Sequence, residues 1–412
     1  MVHRRGRRKL ASGDSSTLKN DPPYPSASGD VLRTLEVVEV CQESDFLALE
    51  QDWNVVARGS RPASVFLRHE WFAAAWAWRK TSAQLHILVA RQGAHVVGVL
   101  PLIRRSDTSP RLVEYQMLTI PDSQVCDVLC APADAVEVTG AFAAKLGDDP
   151  RWDKLSLDFL PPNGPGIGLL VPALRRRDLG VAERDCGRNF FISLSGTWNE
   201  YYGTRSRRLR KAMNLASNRL HKVGDIEIER IGASNCDPSR LHAVLDAAID
   251  ISARSWKRST GNSLEQPGPQ AFIRCLSQLA LEQDWLAIWL LRVGGQTLAM
   301  EYDLLFEDSV HALRADFDAA CVRTSPGTHL FRHLLEHFFA SDFKRYYMGR
   351  GQNAYKMRWS DQGESLRQVV AYNRTPNGRI GWLRDEVVKP ALRWTRDTLL
   401  TNEKAALLSP SK

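Results

Sequence analysis

The sequence predicts an α/β (α+β) protein of two tandem domains, each containing a mixed, mostly antiparallel sheet flanked by helices. A chain of 412 residues is long for a single core, and two domains are expected. Both halves contain helical patterns followed by a hairpin, Leu85 to Ile103 in the first and Leu286 to Phe306 in the second. The second hairpin leads through a Pro-Gly turn into a helical pattern and a further strand, Tyr346 to Met348.

We expect four segments along the chain. Residues 1–32 are rich in Arg, Ser, Gly, Asp and Pro and predict a disordered basic tail. Residues 33–185 form the predicted N-terminal domain and residues 186–380 the C-terminal domain. Residues 381–412 form a C-terminal helix and tail. Apolar residues at helical spacing from Trp382 to Leu400 predict that this helix packs on the core, and a surface amphipathic helix is the alternative.

Composition indicates a soluble globular protein, because 43% of the residues are hydrophobic and 25% are charged. No apolar stretch reaches the roughly 18 residues that a membrane span needs. The basic N-terminus is followed by polar residues, which argues against a secretory signal. The seven cysteines are scattered, so we expect reduced thiols and a cytoplasmic location.

The formal net charge is +8, and the basic residues are unevenly distributed. Residues 205–222 carry seven Lys or Arg and no acid. Apolar residues in this stretch recur at helical spacing and predict a helix with one buried stripe and a basic outer face: Leu209, Met213, Ala216 and Leu220. Such a face is either simply solvated or attracts an anion, such as cofactor phosphates, nucleic acid or an acidic membrane surface. Few aromatic side chains lie nearby, which argues against nucleic acid in general. Binding of a tRNA or of an anionic sugar or lipid stays open, as does peripheral membrane association.

The Pro-Gly turn is the first candidate for chemistry. Asp316 ends a predicted strand, and Arg323-Thr324-Ser325-Pro326-Gly327-Thr328 leads into the next helix. Free backbone N–H groups at a helix start favour an anion, and Gly327 allows close approach because it has no Cβ. Arg323 could add a positive charge. An ordinary strand-to-helix loop would need the same Pro and Gly for its turn alone.

Acidic residues on the predicted central strands are the second candidate. Alternation puts Glu301 on one face of its strand, and it puts Arg314 and Asp316 on one face of the next strand. A buried charge needs a partner, so Glu301–Arg314 or Asp316–Arg314 could be structural ion pairs. Alternatively one acid is a base that takes a proton from a nucleophile, with Glu301 our first choice and Asp316 the second.

The turn, together with Arg254-x-Trp256-Lys257 and Tyr355-Lys356-x-x-Trp359, resembles the core of GNAT-type acyltransferases. The Ser-Pro-Gly form looks like that of the CelD-like group of cellulose and exopolysaccharide biosynthesis, which is related in fold to the FemAB transferases. The sequence departs from the usual GNAT loop, because Pro326 and Thr328 stand where that loop has Gly and Gly or Ala.

The resemblance implies roles for particular residues. An acyl-CoA co-substrate, acetyl-CoA or another, would be held by Arg323, Ser325, Pro326, Gly327, Thr328 and Lys356. Tyr355 would give a proton to the CoA thiolate, with Glu301 or Asp316 as the base. The acceptor contacts would be Arg254, Trp256 and Arg314.

The implied function is direct acyl transfer to an amine or hydroxyl of a sugar or polysaccharide precursor, in polysaccharide or cell-envelope biosynthesis. Two alternatives stay open: a FemAB-like transferase that uses aminoacyl-tRNA, and a non-catalytic accessory protein of a polysaccharide synthesis assembly. We expect no metal. His333-Leu334-Leu335-Glu336-His337 matches the inverted zinc-protease motif, but it directly follows the Pro-Gly turn and lies in a strongly apolar helical pattern.

Overall fold

The computed structural model describes residues 35–105 and 112–391, so the predicted basic tail and the last 21 residues lie outside the described chain. The strands are β1 Leu35–Val40, β2 Ala83–Leu85, β3 Ile87–Gln92, β4 His95–Leu100, β5 Leu102–Arg105, β6 Glu114–Met117, β7 Leu129–Cys130, β8 Lys154–Leu160, β9 Gly180–Ser193, β10 Ile226–Ile231, β11 Leu286–Val293, β12 Gln296–Phe306, β13 Ser309–Phe317, β14 Arg345–Arg350 and β15 Gly363–Tyr372. The helices are α1 Glu43–Ala48, α2 Glu50–Gly59, α3 His69–Arg79, α4 Ala135–Asp148, α5 Val171–Arg175, α6 Trp198–Gly203, α7 Arg207–Leu220, α8 Pro238–Arg254, α9 Pro267–Glu282, α10 Pro326–Phe339 and α11 Pro376–Trp382.

Two sheets form the framework of the described chain. The larger has 11 strands in the order β10-β11-β12-β13-β14-β9-β15-β8-β6-β5-β2, and the smaller has the order β1-β3-β4-β7. Neighbouring strands are antiparallel except for the pairs β13–β14 and β6–β8, which are parallel. The predicted fold class, a mixed and mostly antiparallel sheet flanked by helices, is therefore confirmed.

The two halves of the chain repeat one order of elements. The first half has a strand (β1), helices α1 to α3, a hairpin (β3–β4), a strand (β6), a helix (α4) and a parallel return strand (β8). The second half has β10, helices α8 and α9, the hairpin β11–β12, β13, α10 and the parallel return strand β14. A parallel return needs a crossover connection, and the helix between the strands supplies it in both halves. The matching order agrees with the predicted tandem arrangement.

Strand β9 joins the two halves into one continuous sheet. Its N-terminal part pairs with β15, and its C-terminal part, from Asn189 to Ser193, pairs with β14. The domain boundary expected between residues 185 and 186 thus falls inside β9. The division into residues 33–185 and 186–380 stays a prediction about how the chain is organised.

Burial follows the apolar patterns of the sequence. One core lies between helices of both halves, where α3 packs against α9 and the Trp71 and Phe272 rings meet edge to face at 5.3 Å. A second core lies between β14, α7 and α10. The predicted buried stripe of α7 is confirmed, because its members are all buried: Leu209, Met213, Ala216 and Leu220. This packing fixes the orientation of α10, whose first turn matters below.

The C-terminal helix differs from the prediction. Leu383, Val387 and Val388 are 51%, 43% and 43% exposed, so the expectation that this stripe packs on the core is wrong for the described part. Helical spacing cannot distinguish a stripe that faces the core from one that faces outward, because both have the same period. Residues 392–400 of the predicted helix lie outside the described chain. No helix in the described part is long and apolar enough to cross a membrane.

Candidate functional site

Strands β13 and β14 separate and open a cavity between them. Their parallel pairing runs only from Ser309–Arg345 to His311–Tyr347 within the described chain. Beyond that point the Ala312 carbonyl accepts a hydrogen bond from Gln124 Nε2 at 2.8 Å instead of a bond from β14. A bulge in the β12–β13 register lies at the same place, and a bulge bends and twists its strand. The resulting cavity has a volume of about 600 Å³ and is lined by the later residues of both strands.

The cavity collects residues from separate parts of the sequence. Eight of the predicted site residues line it: Trp256, Glu301, Arg314, Asp316, Gly327, Thr328, Tyr355 and Lys356. Four predicted residues are not among the lining residues: Arg254, Arg323, Ser325 and Pro326. The structure therefore brings eight of the twelve predicted residues to one cavity, and their roles stay predictions.

Two buried carboxyl groups share one tyrosine hydroxyl beside the cavity. Glu301 and Asp303 lie on the same face of β12, and the Tyr346 hydroxyl lies 3.1 Å from Glu301 Oε1 and 3.3 Å from Asp303 Oδ1. A phenol has one hydrogen and can donate to one carboxylate at a time. Burial, and then the charge of Asp303, raise the pKa of Glu301 well above its usual value. Burial raises the pKa of Asp303 to about 7, so this trio holds a proton near neutral pH.

A third carboxyl group, Asp316, is buried and aimed into the cavity. It is 2% exposed, and neither of its side-chain oxygens has a hydrogen-bond partner in the described chain. Its Oδ1 lies 3.0 Å from Lys257 Nζ, which also donates to the Ala315 carbonyl at 3.0 Å. The ammonium thus balances the charge of Asp316, while the carboxylate can still accept a hydrogen bond from a ligand.

Tyr355 and Lys356 close the cavity after β14. The Tyr355 ring packs edge to face on Phe331 at 5.6 Å. Tyr355 as a whole is 39% exposed, but burial of its hydroxyl end, and then the charge of Glu301, raise its pKa well above the usual value, so the hydroxyl stays protonated at neutral pH. Lys356 Nζ donates to the carbonyls of Gly349 and Arg350 at 2.9 and 2.6 Å. Burial lowers the pKa of Lys356 to about 8, and the nearby charge of Arg350 adds to this effect.

The Pro-Gly turn opens α10 towards the cavity, and it offers few backbone donors. Ser325 precedes the helix in the left-handed region, with φ of 56°. Pro326 has no N–H, and the amides of Thr328 and His329 donate to the Ser325 carbonyl at 3.1 and 3.2 Å. A Cβ on Gly327 would lie 3.2 Å from the Phe317 ring, which explains the glycine. The Gly327 amide is the donor in this first turn that has no partner in the described chain.

The three predicted acceptor contacts, Arg254, Trp256 and Arg314, differ in their exposure and in their ion-pair partners. Trp256 is 57% exposed at the cavity lining. Arg254 forms ion pairs with Asp250 and Asp318.

Arg314 lines the cavity, but its guanidinium is already bound on two sides. It lies 2.6 Å from Asp122 and donates to the Asn262 carbonyl at 2.6 Å. The proposed structural ion pairs of Arg314 with Glu301 or Asp316 are therefore wrong, because Asp122 from the first half of the chain takes that place.

Several cavity residues were missed by sequence reasoning: Asp122, Lys257, Asn262, Tyr346 and Arg350. Strand alternation in Tyr346-Tyr347-Met348 could have identified Tyr346, since alternate residues face one side. Lys257 follows Trp256 directly and could have been considered with it. Asp122 lies 192 residues from Arg314 and carries no local signal for this contact.

Two histidines of α10 lie against one tryptophan, and the third lies near another histidine. The rings of His333 and His337 lie 6.1 and 5.1 Å from the Trp289 ring, and His329 lies 6.4 Å from His221.

Elsewhere, a group of three potential metal ligands occurs in the described chain at Glu39, Cys41 and His86. Glu39 there already binds Lys145 and Arg151. These two cations oppose a metal ion.

Comparison with known proteins shows what part of the sequence and the fold resemble. Residues 207–357 match the model of the acetyltransferase (GNAT) domain. No curated protein matches the sequence. Among solved structures, the chain resembles FemX with a TM-score of 0.54 and 10% identity, covering 85% of this chain and 100% of that one. It also resembles the C-terminal domain of a putative lysylphosphatidylglycerol synthetase from Agrobacterium fabrum, with a TM-score of 0.50 and 12% identity over 84% and 97% of the chains.

A conserved protein of unknown function from Bacteroides thetaiotaomicron is similar to the same degree, with a TM-score of 0.50 and 12% identity, covering 82% of this chain and all of that one. At these identities the likeness concerns the fold. The matched segment begins with α7 and ends at Met357, so it contains β12, β13, α10 and β14, the elements that line most of the cavity. Residues 207–357 are therefore similar to the GNAT domain, and the described chain has a GNAT-like fold.

Proposed function

We propose that this protein is an acyl-CoA-dependent acyltransferase that moves the acyl group directly to an amine or hydroxyl acceptor. One observation carries the proposal. The start of α10 and Glu301, a buried carboxyl group whose pKa is raised, both lie at the cavity between the separated strands. A carboxylate whose pKa is raised by burial is a stronger base than an exposed one, which suits proton removal from an amine or hydroxyl. Acetyl-CoA is the proposed donor, and a sugar or polysaccharide precursor, as in the CelD-like group, is the proposed acceptor.

The donor would lie in the cavity between β13 and β14. Its pyrophosphate would approach Gly327 and Thr328 at the start of α10, with Lys356 as a nearby cation. Its thioester would reach the part of β13 that no longer pairs with β14, near Asp316, where backbone N–H groups could hold the carbonyl oxygen. Preorganised donors of this kind lower a barrier by about 3 kcal/mol each.

The reaction balances without a covalent enzyme intermediate. The acceptor heteroatom attacks the thioester carbon while Glu301 takes its proton, and the C–S bond then breaks. Tyr355 gives its proton to the departing thiolate. Burial, the main cause of the raised pKa of Tyr355, remains, but the second cause, the charge of Glu301, is gone once Glu301 is neutral, so this donation becomes easier. Proton exchange with solvent returns both groups to their starting state.

Asp316 is the second candidate base. Its two oxygens lack hydrogen-bond partners in the described chain, so a nucleophile could donate to them. The ammonium of Lys257 lies 3.0 Å from Asp316 Oδ1 and would compete with a nucleophile for that oxygen. We therefore assign Asp316 to binding the acceptor or a water, and Glu301 to proton removal.

A second cleft, of about 1240 Å³, is the proposed acceptor site. It lies between the two halves of the chain, where Arg61 and Phe66 of the first half face His311 and Tyr347 of the second. Along β14, Tyr347 lines this cleft, whereas its neighbour Tyr346 lines the donor cavity, so the two cavities lie on opposite faces of the strand. An acceptor and a donor on opposite faces could meet at the gap beside β14. The exposed Trp256 would be a further contact at the donor side.

A transferase that uses aminoacyl-tRNA is the second candidate function. The FemX-like fold and the basic face of α7 favour it. A non-catalytic accessory protein is the third possibility, and it predicts that no acyl-CoA binds. We place the protein in the cytoplasm, with peripheral membrane association as an open proposal.

Donor binding and the role of Glu301 can be tested together. We expect acetyl-CoA or a longer acyl-CoA to raise the midpoint of thermal unfolding. Release of free thiol in a screen of sugar, amine and peptide acceptors should then identify the acceptor. The Glu301→Gln variant should keep donor binding and lose turnover by about two orders of magnitude or more. Glu227→Gln on the exposed face of β10 is the matched control and should behave as the wild type.

Two results would contradict the proposal. If no acyl-CoA shifts the unfolding midpoint, the donor assignment is wrong, and the result favours the alternative of a non-catalytic accessory protein. If Glu301→Gln retains full turnover, Glu301 is not the base, and Asp316→Asn becomes the decisive variant.

A further inference from the structure

Gln124, from the first half of the chain, lies in the gap between β13 and β14. It is 2% exposed, and its Nε2 donates to the Ala312 carbonyl at 2.8 Å, directly after the last residue pair of the two strands. Its Oε1 accepts a hydrogen bond from Asn189 Nδ2 on β9 at 3.3 Å. Because β14 lies between β13 and β9 in the sheet, the amide links the strands on the two sides of β14.

Further contacts fix the segment that leads to Gln124. Arg350 Nη2 on β14 donates to the Pro121 carbonyl at 2.9 Å. The carboxylate of Asp122 lies 2.6 Å from Arg314 on β13. Since the segment and both ends of the amide are held by the protein, the position of Gln124 does not depend on a ligand. A polar group fixed in this way acts without reorganisation during a reaction.

The hydrogen bonds determine which way the Gln124 amide faces. A carbonyl only accepts, so the end of the amide at Ala312 is the NH2 group, which has two hydrogens. One hydrogen goes to Ala312, and Nε2 has no second partner in the part of the chain that the structure describes. A buried N–H that lacks a partner has lost its hydrogen bond to water, so a ligand atom that accepts this N–H is favoured.

Gln124 lies between the donor cavity and the proposed acceptor cleft. It lines a pocket of about 220 Å³ that shares Ala312 and Lys356 with the donor cavity. A Cβ added to Gly349 would lie 3.6 Å from Gln124 Nε2 and 3.7 Å from Lys356 Nζ, so both groups lie beside the same point of β14. Asn189, the hydrogen-bond partner of Gln124, lines the acceptor cleft. The amide thus lies where a donor and an acceptor would meet.

The proposed base is close to the same point. Ala312, whose carbonyl binds Gln124, is the strand partner of Asp303 on β12. Asp303 and Glu301 share the hydroxyl of Tyr346. The carboxyl pair and the Gln124 amide therefore lie at the same part of β13, at the beginning of its unpaired stretch.

We propose that Gln124 is a catalytic residue whose second N–H donates to the carbonyl oxygen of the donor's thioester. The inference rests on the proposed function, because it adds a residue to the same reaction. When the acceptor heteroatom attacks the carbonyl carbon, the π electrons of C=O move to the oxygen, and the N–H stabilises the negative charge there. The C=O bond forms again as the C–S bond breaks and its electrons leave with the sulfur. Gln124 lies outside the segment similar to the GNAT domain, so the first half of the chain supplies part of the catalytic machinery.

Isotope-edited infrared spectroscopy of bound acetyl-CoA, labelled at the thioester carbonyl, tests the contact without an acceptor. We expect the carbonyl band at lower wavenumber in the wild type than in Gln124→Leu, because a hydrogen bond to the oxygen weakens the C=O bond. In the assay of thiol release, Gln124→Leu should lower kcat by about a hundredfold or more. Its dissociation constant for acetyl-CoA should stay close to that of the wild type.

The Gln124→Glu variant separates the contact from the stability of the fold. In mildly acidic buffer a buried carboxyl group is protonated, and its one proton is donated to the Ala312 carbonyl. This variant keeps that hydrogen bond and lacks the second donor, so its carbonyl band should match that of Gln124→Leu. The control is Gln368→Leu on β15, which removes an amide that donates to Asp158 at 2.6 Å and should leave the band and kcat unchanged.

The outcomes separate the role of Gln124 from the proposed function. If acetyl-CoA does not bind to the wild type, the proposed function itself is contradicted. If acetyl-CoA binds and the carbonyl band is the same in the wild type and both Gln124 variants, the contact is overturned and the acyltransferase proposal stands. A band that moves without any fall in kcat overturns the catalytic role. An equal movement of the band in Gln368→Leu indicates a general change of the fold and overturns the inference as well.

Discussion

Replacing Asp303 with Asn should change the stability of the protein in a strongly pH-dependent way. Asp303 is fully buried, and its pKa is raised from 3.8 to about 7. A rise of this size corresponds to about 4 kcal/mol between the charged and neutral forms. Because the folded pKa is the higher one, the stability due to the neutral carboxyl is fully present below pH 3.8 and is lost as the pH rises towards 7. Asparagine stays neutral throughout and avoids this loss.

The assay is urea unfolding of the wild type and Asp303→Asn at several pH values from about 4 to 8. We expect the difference in unfolding free energy to grow in favour of the variant by up to about 4 kcal/mol over that range. Among the other groups, Glu301 also changes, because the charge of Asp303 helps to raise its pKa, so the difference reports on the coupled carboxyl pair. Asp308→Asn, at the exposed turn between β12 and β13, is the control and should give a difference that is flat with pH.

The same substitution should also move the activity profile. The charge of Asp303 is the second cause of the raised pKa of Glu301, after burial. Because the amide of the Asp303→Asn variant carries no charge, the pKa of Glu301 falls, and the acidic limb of turnover against pH should shift to lower pH. A stability difference that does not vary with pH, together with an unmoved limb, would refute the account of a carboxyl pair that shares a proton.

Three further substitutions test the site. Gly327→Trp should abolish protection by acetyl-CoA in thermal unfolding, because the indole would clash with Phe317 at the cavity. The control is Gly140→Trp on α4, which should retain the protection because an added Cβ there meets nothing within 4 Å. Tyr355→Phe should slow turnover by about a hundredfold with an unchanged dissociation constant for the donor; an unaltered rate would remove the hydroxyl from the mechanism. Arg314→Met should lower the free energy of unfolding in urea by about 3–5 kcal/mol, because it leaves the buried Asp122 unpaired. Adding Asp122→Asn should recover much of that loss, and no recovery would contradict the assigned ion pair.

Local patterns predicted the elements that build the site. Period-two alternation identified β12 and β13 and put Glu301 on one face, and the Pro-Gly pair marked the start of α10. These features depend on residues close together in the chain, so a single sequence contains the information. The free amides expected at the helix start were overestimated, because Pro326 has no N–H and the Thr328 amide donates to the Ser325 carbonyl. The second of these contacts depends on local backbone geometry, which residue types alone do not reveal.

Long-range contacts decided which charges are paired. Arg314 finds Asp122 at a separation of 192 residues, and Asp316 finds Lys257 from the segment after α8. Pairing of this kind follows from how the two halves pack, which no local pattern encodes. The outward face of the C-terminal helix was mispredicted for the same reason, since its apolar period is identical whether or not another element covers it.

By itself the sequence determined the order of strands and helices, the repeated architecture and the residue types available for chemistry, because period and turn residues act over a few positions. Tertiary structure alone decided that β13 and β14 separate, and that Glu301, Asp303 and Tyr346 meet in a buried trio. The pKa values that make Glu301 a candidate base arise from burial and from a neighbouring charge. Both are properties of the packed molecule, since desolvation exists only once the strands and α10 enclose the carboxyl groups.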